Sequence, residues 1–466
     1  MFIGRQKELS VLNKHYQTDT FQCIVMYGRR RVGKTSVIKE FIKDKDAVYF
    51  TGIEGNEKQN LENFSKAVWE QTENFYGTAP VYDSYQSALE FVFEKAQHKR
   101  LMLCIDEYPY IAKASKSLAS TLQFLIDKYK DTSKLYIILC GSSMSYMEEN
   151  VLSYKAPLYG RRTAQLQINP LNFFESTAYT KNFSNEDKAL AYGIAGGTPQ
   201  YLLQINDKLS LEENIKNIFL EPSSFMYEEP VNFLKQEMRE PAVYNSIISA
   251  IANGYTKLSE ISSKTGEQTS ICSMYIKNLI SLGIVKKEIP AGEDKSKKTT
   301  YSITDNMFRF WYRFIQPNMS AISKGAVENV YKYIEQNISK YMGSVFENIC
   351  IDYMWQMLLM GKSEVSFNNI GRWWGTSNIS KTQIEIDVFG TDNENRALFG
   401  ECKWTNKKAD VDVLDNLIDK SMNFKYEKYY YIFSKSGFTD ALKSRADKMG
   451  NVRLVTYEDM VAALDD

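Results

Sequence analysis

The chain has 466 residues, with 57 Lys+Arg balanced by 57 Asp+Glu, so its formal net charge is zero. This balance excludes attraction to nucleic acid through overall charge, and any such site has to be a local patch. At roughly 100–200 residues per domain, the length predicts two to four domains. The sequence shows no run of 18 apolar residues and no apolar signal core at its start, so we expect a cytoplasmic protein without a membrane span.

Short apolar runs alternate with amphipathic stretches over residues 1–180. Continuous apolar runs separated by helices are typical of a parallel sheet that is covered on both faces. We therefore predict an α/β nucleotide-binding domain for this segment. The predicted strands are Phe21–Tyr27, Ala47–Phe50, Leu101–Ile105 and Leu135–Cys140, with another near Gln165–Ile168.

The first predicted strand leads into Gly28–Thr35, which reads G-R-R-R-V-G-K-T and matches the P-loop pattern G-x-x-x-x-G-K-[ST]. The glycines let backbone N–H groups face phosphate oxygens, and the helix that begins near Gly33 adds its positive end. We expect Lys34 to reach the β- and γ-phosphates of ATP and the Thr35 hydroxyl to bind Mg²⁺. The predicted nucleotide-binding residues are Gly28, Arg29, Arg30, Arg31, Val32, Gly33, Lys34, Thr35 and Ser36, with the three arginines expected in surface contacts rather than in catalysis.

The strand predicted over Leu101–Ile105 ends in Asp106 and Glu107. Downstream of a P-loop, a buried strand that ends in acids predicts Asp106 in the Mg²⁺ shell and Glu107 polarising the attacking water. The alternative is that both acids only cap the following helix.

Two further features leave alternatives open. Ser142 or Ser143, at the end of a predicted strand, either senses the γ-phosphate or caps the next helix. Arg161, followed by Arg162, either contacts the γ-phosphate of the same or a neighbouring subunit or is a structural arginine.

Together these motifs resemble the archaeal–bacterial branch of the AAA+/STAND-type ATPases, over roughly residues 1–310. The resemblance implies that the Gly4-Arg5 and Glu8 stretch lies near the adenine, and that Gly197-Thr-Pro199 joins a lid reporting nucleotide state. It also implies slow ATP hydrolysis and assembly into a homo-oligomer. The motifs that carry it are F-I-G-R-x-x-E-L at Phe2–Leu9, the P-loop, I-D-E-Y at Ile105–Tyr108, C-G-S-S at Cys140–Ser143, Y-G-R at Tyr159–Arg161 and G-G-T-P at Gly196–Pro199.

The middle of the chain is predicted as a helical lid (181–240), a winged helix (241–305) and linking helices (306–340). Three helices followed by a two-strand hairpin are typical of a winged helix. If this segment reads DNA, its third helix is the recognition helix and the wing lysines contact phosphates; the alternative is that it only packs on the ATPase. The predicted helices are Val243–Ala252, Leu258–Thr265 and Ile271–Leu282, and the hairpin strands are Ile284–Ile289 and Thr299–Ile303.

Residues 341–466 are predicted to form a separate α/β domain. Its helices are expected at Val345–Leu359, Val411–Met422 and Thr439–Lys448. Its strands are expected at Glu364–Phe367, Gln383–Phe389, Arg396–Lys403, Tyr429–Phe433 and Val452–Thr456.

A second group of charged residues lies on two of these strands. Because positions i and i+2 of a strand face the same side, Glu401 and Lys403 project together, and a hairpin would bring Asp387 beside them. The carboxylates would hold one or two Mg²⁺ ions, Lys403 would orient a water, and Glu347 would complete the metal shell.

This arrangement resembles the PD-(D/E)xK nuclease superfamily, with Ile386-Asp387 in place of Pro-Asp. The resemblance implies a restriction-endonuclease-like fold and a DNA nuclease controlled by the ATPase. Two alternatives remain: a plain salt bridge, or an inactive nuclease-like domain on an ATP switch that binds DNA or protein.

Overall fold

The computed structural model describes residues 2–73, 77, 79–293 and 295–463. The chain divides into two compact units, one within Met1–Leu171 and Thr198–Gln200, the other within Asn172–Gly197 and Tyr201–Asp466. The division into the five segments inferred from the sequence stays a prediction. None of the helices in the described part of the chain is long and apolar enough to cross a membrane.

The first unit is built on a five-stranded parallel sheet, and the five predicted strands are present there. Its strands are β1 (Gln22–Tyr27), β2 (Ala47–Thr51), β3 (Leu101–Asp106), β4 (Leu135–Gly141) and β5 (Ala164–Gln167). They lie in the order β2-β3-β4-β1-β5. Every residue of β1, β3 and β4 is buried, as continuous apolar runs require.

Helices of the first unit flank these strands. They are α1 (Gln6–Tyr16), α2 (Lys34–Ile42), α3 (Glu57–Glu73), α4 (Tyr85–His98), α5 (Tyr108–Ala114), α6 (Leu118–Tyr129) and α7 (Met144–Met147). Because all five strands run parallel, their carboxyl ends meet at one edge, where β1 and β3 end in Tyr27 and Asp106. That edge positions the candidate site.

The second unit begins with short helices and continues through three helices and a hairpin. The short helices are α8 (Phe173–Ser176), α9 (Asn185–Ala195), α10 (Pro199–Leu202, which starts in the first unit), α11 (Leu211–Phe219) and α12 (Glu229–Glu237). The predicted winged-helix elements follow as α13 (Pro241–Ala252), α14 (Leu258–Thr265), α15 (Thr269–Ser281), β6 (Val285–Glu288) and β7 (Thr300–Ile303). The two strands pair antiparallel.

A long helix corrects one prediction. After α16 (Asn306–Phe310) and α17 (Met319–Ser323), helix α18 runs from Val327 to Leu359, whereas the sequence analysis started it at Val345. Buried side chains at Val330 and Ile334 continue its apolar face toward the N-terminus. The helix therefore crosses the boundary predicted between the linking segment and the last domain.

The C-terminal sheet has five strands in the order β12-β11-β10-β9-β8. Strands β8 to β10 form an antiparallel meander, and β11 and β12 add in parallel. Apolar clusters fill both faces of this sheet. Its elements are β8 (Asn369–Thr376), β9 (Gln383–Thr391), β10 (Arg396–Lys403), α19 (Val411–Ser421), β11 (Glu427–Ser434), α20 (Asp440–Met449), β12 (Val452–Thr456) and α21 (Tyr457–Ala462).

The strand predicted over Glu364–Phe367 was wrong, because those residues are irregular and the first strand is β8. The missed strand contains Gly371 and Gly375 and a register shift between Gly371 and Trp373. A bulge and glycines break the two-residue alternation by which a strand is recognised.

Substitution of alanine for either of two glycines in the second unit should change the free energy of unfolding in opposite directions. A Cβ at Gly343, inside α18, would meet nothing within 4 Å, whereas one at Gly400 would lie 2.8 Å from the Val388 Cβ. We expect Gly343→Ala to raise the free energy of unfolding by about 0.5–1 kcal/mol through helix propensity. Gly400→Ala should lower it by about 1–3 kcal/mol through overpacking. Urea unfolding measures both, and a destabilised Gly343→Ala protein would contradict an open helix face at residue 343.

Candidate functional site

The P-loop connects β1 to α2 at the carboxyl edge of the first sheet. Gly33 lies at the start of α2 with φ +92°, and no side chain caps that helix end. A Cβ at Gly28 would lie 2.3 Å from the Ile168 carbonyl oxygen, so only glycine fits this close approach. The first N–H groups of α2 therefore meet no capping side chain, which is the arrangement that binds phosphate in such loops.

Lys34 is buried inside the loop that precedes it. Its Nζ donates to the Gly28 carbonyl at 2.8 Å and to the Arg29 carbonyl at 2.9 Å. These bonds curl the loop around the ammonium group, so the positive charge lies where the backbone N–H groups converge. The position fits the phosphate contact that we propose for Lys34.

Thr35 and Asp106 are 71 residues apart in the sequence, but their side chains form a direct hydrogen bond. The Thr35 Oγ1 donates to the Asp106 Oδ2 at 2.7 Å, and Asp106 is only 2% exposed. The other carboxylate oxygen, Oδ1, accepts from the Glu107 N–H at 3.0 Å. A hydroxyl and a carboxylate at one point fit Mg²⁺, which is usually held by one or two protein groups together with waters and phosphate oxygens.

Glu107 is hydrogen-bonded to Ser142, a contact that the sequence did not predict. It begins α5 with φ +52° in the left-handed region, and its Oε2 accepts from Ser142 Oγ at 2.8 Å. Ser142 therefore contacts the second acid rather than capping a helix. Ser143 occupies the N-cap position of α7, but its side chain makes no cap hydrogen bond.

The P-loop arginines correct a second expectation. Arg29 is 4% exposed, so it is not a surface residue, and its Nη2 donates to Thr198 Oγ1 at 2.6 Å. Arg30 is half-buried and donates to the Tyr110 hydroxyl at 3.0 Å. Thr198 belongs to the G-G-T-P motif, so Arg29 links the P-loop to that motif within the first unit.

Arg5 also reaches the P-loop. Its Nη1 donates to Glu8 at 2.8 Å, and its Nη2 donates to the Val32 carbonyl at 2.7 Å. The Gly4-Arg5 and Glu8 stretch thus adjoins the predicted nucleotide site, which fits the role that the family resemblance implied.

Arg161 is not brought to the P-loop. It precedes Thr163, whose N–H bonds the Cys23 carbonyl near the start of β1, whereas the P-loop follows the end of that strand. Its guanidinium forms two-pronged bonds to Asp127, with Nε–Oδ1 at 3.0 Å and Nη2–Oδ2 at 2.8 Å. The pair with Asp127 fits the alternative of a structural arginine, and this position does not fit a contact with the γ-phosphate of the same subunit.

The C-terminal charged residues are adjacent but paired otherwise than expected. Asp387 directly precedes Val388 and Glu401 directly follows Gly400, and Val388 and Gly400 are paired in the antiparallel β9–β10 hairpin. Asp387 Oδ2 accepts from the Cys402 N–H at 2.8 Å. Glu401 is bound on one oxygen by Lys403 at 2.7 Å and on the other by Lys420 at 2.9 Å.

These contacts do not form the expected metal cluster. Within the described ranges, no group of three or more His, Cys, Asp or Glu side chains is arranged to hold a metal ion. Glu347 pairs with Arg372 at 3.4 Å, and both Glu401 oxygens face ammonium groups. The expectation that Glu347, Asp387 and Glu401 jointly ligate Mg²⁺ is therefore not met by their positions.

Burial and charge shift the pKa values of this group. Burial raises the pKa of Glu347 to about 7, and the Asp387 carboxylate adds to the effect. Burial, with the Glu401 carboxylate, raises the pKa of Asp387 to about 6. For Lys403 burial acts to lower the pKa, but the contact with Glu401 outweighs it and the pKa is raised. Lys403 therefore stays a cation at neutral pH and does not supply a base.

Two of the wing lysines expected to contact DNA phosphates are paired with acids. Lys286 pairs with Glu288 at 2.7 Å, and Lys298 pairs with Glu293 at 3.2 Å, so acids offset part of the wing charge. Trp373 is buried in the C-terminal sheet and packs against Phe424. It is therefore a core residue.

Comparison with known proteins identifies the first part of the chain. A family model described as an ATPase domain predominantly from Archaea matches residues 2–205. A second model, described as archaeal and bacterial proteins of unknown function, matches residues 311–414. An uncharacterized protein of Methanocaldococcus jannaschii is 33% identical over 443 residues, covering 93% of this chain and 96% of that protein. The chain belongs to that protein's family.

Two further matches agree with the ATPase domain. A second protein of Methanocaldococcus jannaschii, an uncharacterized ATP-binding protein, is 44% identical over 45 residues, covering 10% of this chain and 76% of that protein. The solved structure of a Walker-type ATPase of Pyrococcus abyssi aligns with TM-score 0.53 and 17% identity, covering 67% of this chain and 96% of that one. At this identity the likeness concerns the fold alone, an α/β fold with a parallel sheet. The C-terminal sheet is present, and the family model that covers part of it describes proteins of unknown function.

The raised pKa of Glu347 predicts a pH-dependent stability. The folded state holds a proton on Glu347 up to about pH 7, above the ordinary value of 4.5. Stability from this group is therefore complete at low pH and falls as pH rises through 7. Gln cannot titrate, so Glu347→Gln should gain stability relative to wild type between pH 5 and pH 8, by on the order of 2 kcal/mol. Urea unfolding at both pH values measures the difference, and a difference that does not change with pH would contradict the prediction.

Proposed function

We propose that this protein binds ATP with Mg²⁺ at the P-loop and hydrolyses it there. The observation that carries the proposal is the Thr35 Oγ1–Asp106 Oδ2 hydrogen bond of 2.7 Å, which joins the motif after β1 to the acid after β3. Mg²⁺ would supply neutralisation of charge on the β- and γ-phosphates. Thr35 and Asp106 would hold it, and Lys34 would contact the phosphates.

Glu107 is the residue that we assign to the attacking water. A carboxylate that orients a water and accepts its proton contributes typically 10²–10⁴-fold to a rate. Ser142 Oγ fixes the orientation of Glu107 through its 2.8 Å hydrogen bond. The pair is placed at the carboxyl edge, beside the end of β3.

The Arg29–Thr198 hydrogen bond supports control of the second unit by the nucleotide. Thr198–Gln200 belongs to the first unit, while the chain on both sides of it belongs to the second. A nucleotide that displaces the Arg29 side chain would act on this three-residue stretch. If the chain assembles into a homo-oligomer, Arg161 could contact the γ-phosphate of a neighbouring subunit, and its pair with Asp127 fits the alternative of a structural arginine.

Substitutions at the P-loop test the ATPase proposal. We expect Lys34→Ala to abolish ATP binding, and Glu107→Gln to keep binding but lower hydrolysis by roughly 10²-fold or more. Lys43→Ala, an exposed lysine that follows α2, is the matched control and should behave as wild type. Calorimetry and phosphate release measure the two effects. Equal ATP binding by wild type and Lys34→Ala would reject the assignment.

A second candidate function concerns the C-terminal sheet. We propose that it acts on DNA as a Mg²⁺-dependent nuclease, because the hairpin places Asp387 and Glu401 side by side and Lys403 on Glu401. The order helix α18, meander β8–β10, helix α19 and parallel strand β11 also supports an endonuclease-like core. The rival proposal is an inactive domain that only binds DNA or protein, which the doubly paired Glu401 favours.

Plasmid cleavage separates these two proposals. If the domain is a nuclease, supercoiled plasmid should be cut in the presence of Mg²⁺ or Mn²⁺. Asp387→Asn should abolish cutting because it removes one of the two neighbouring carboxylates, those of Asp387 and Glu401. Asp447→Asn, an exposed acid on α20, is the control and should cut as wild type. Cutting by Asp387→Asn at the wild-type rate would reject the site. A gel shift without cutting under any of these metals would favour the binding domain.

A further inference from the structure

Tyr49 lies at the proposed metal site although no motif contains it. Its hydroxyl donates to Asp106 Oδ2 at 2.9 Å, the oxygen that also accepts from Thr35 Oγ1. Thr51 Oγ1 in turn donates to the Tyr49 hydroxyl at 3.3 Å. Four side chains from three elements, α2, β2 and β3, are thus joined by hydrogen bonds that meet at Asp106.

The strand pairing explains how Tyr49 reaches this position. Strand β2 pairs in parallel with β3, and the register sets Tyr49 beside Cys104 and Thr51 beside Asp106. Tyr49 and Thr51 are two positions apart, so they face the same side of the sheet. The long tyrosine ring carries its hydroxyl forward to the Asp106 carboxylate, while the Lys39 ammonium lies over the ring at 5.6 Å from its centre.

The hydrogen bond from Tyr49 helps to fix the orientation of the Asp106 carboxylate. A carboxylate has about four acceptor positions on its two oxygens. Thr35 and Tyr49 occupy two on Oδ2, and the Glu107 N–H occupies one on Oδ1. These three hydrogen bonds fix the carboxylate in rotation. Thr35 donates its proton to Asp106, so the lone pairs of its oxygen stay free to bind a cation.

We propose that Tyr49 is a positioning residue for the Mg²⁺ that accompanies ATP, holding Asp106 in the orientation that serves the metal. This inference rests on the ATPase function proposed above and adds a residue to it. Burial, with a smaller contribution from the Asp106 carboxylate, raises the pKa of the Tyr49 hydroxyl. Tyr49 therefore remains a neutral donor at the pH values where proteins work.

If Tyr49 served only to pack its ring, its substitution by phenylalanine would have a different effect. Phenylalanine keeps the ring and the packing and removes only the hydroxyl. If Tyr49 merely fills space, Tyr49→Phe would leave metal binding unchanged. If it positions Asp106, the loss should appear in the Mg²⁺ dependence and not in metal-free nucleotide binding.

The test compares Tyr49→Phe with Tyr136→Phe. Tyr136 is a fully buried tyrosine of β4 whose hydroxyl donates to the Leu12 carbonyl at 3.1 Å, away from Asp106, so it is the matched control. Mg²⁺ is titrated into protein with a fluorescent ATP analogue, with EDTA as the metal-free reference, and unfolding curves verify folding. We expect Tyr49→Phe to need about 3–10-fold more Mg²⁺ for half-saturation, as for the loss of one hydrogen bond of ordinary net strength. Tyr136→Phe should titrate as wild type.

Hydrolysis gives the second readout. Saturating Mg²⁺ should restore the rate of Tyr49→Phe toward wild type, because mass action replaces the lost positioning. Wild-type Mg²⁺ dependence in Tyr49→Phe, or an equal loss of metal-free nucleotide binding, overturns the assignment. Failure of the wild-type chain to bind nucleotide at all would overturn the proposed function itself, and the Tyr49 role with it.

Discussion

The hydrogen bond between Thr35 and Asp106 joins the first turn of α2 to the end of β3, across the intervening strand β4. It can form only because the strands run parallel and end at one edge of the sheet. The same edge places Lys34 inside its loop and Glu107 next to Asp106. Each remaining feature of the candidate site depends on this constraint: the arginine link to Thr198, the Ser142–Glu107 pair and the tyrosine contact.

The two charged sites of the chain differ in how their carboxylates are satisfied. The hydrogen bonds that Asp106 accepts come from two hydroxyls and one N–H, which are neutral donors, and this suits the binding of a cation. Glu401 instead lies between the ammonium groups of Lys403 and Lys420, which together outweigh its charge. A metal ion that binds Glu401 would have to break at least one of these two ion pairs. A metal ion that binds Asp106 would not have to break either of them.

The sequence was most informative where a strand is buried on both faces or where a motif is local. Continuous apolar runs located β1, β3 and β4 within a residue or two, and the P-loop pattern predicted Lys34 and Thr35 as site residues. Strand β8 was not predicted because a bulge and two glycines interrupt its alternation of apolar and polar residues. The start of α18 was placed too late because its buried face continues through a segment that had been assigned to a linker.

Partners from distant elements could not be foreseen. Tyr49 and Lys420 are ordinary members of a strand and a helix, and only the register of β2 and the packing of α19 bring them to Asp106 and Glu401. Arg29 looked like a surface residue because charge normally implies exposure, but Thr198 receives it in a buried position. Arg161 fits a phosphate motif by its neighbours in sequence, yet its position before β5 places it at the far end of the sheet.

The most direct test of the central claim is anomalous scattering from crystals grown with Mn²⁺ and a non-hydrolysable ATP analogue. Mn²⁺ replaces Mg²⁺ and marks its position independently of any activity. Our account predicts a manganese peak at roughly 2.0–2.4 Å from Thr35 Oγ1, on the side of Asp106 and next to the phosphates. A crystal that contains the nucleotide but shows no manganese at Thr35, or shows the phosphates away from Lys34, would contradict it.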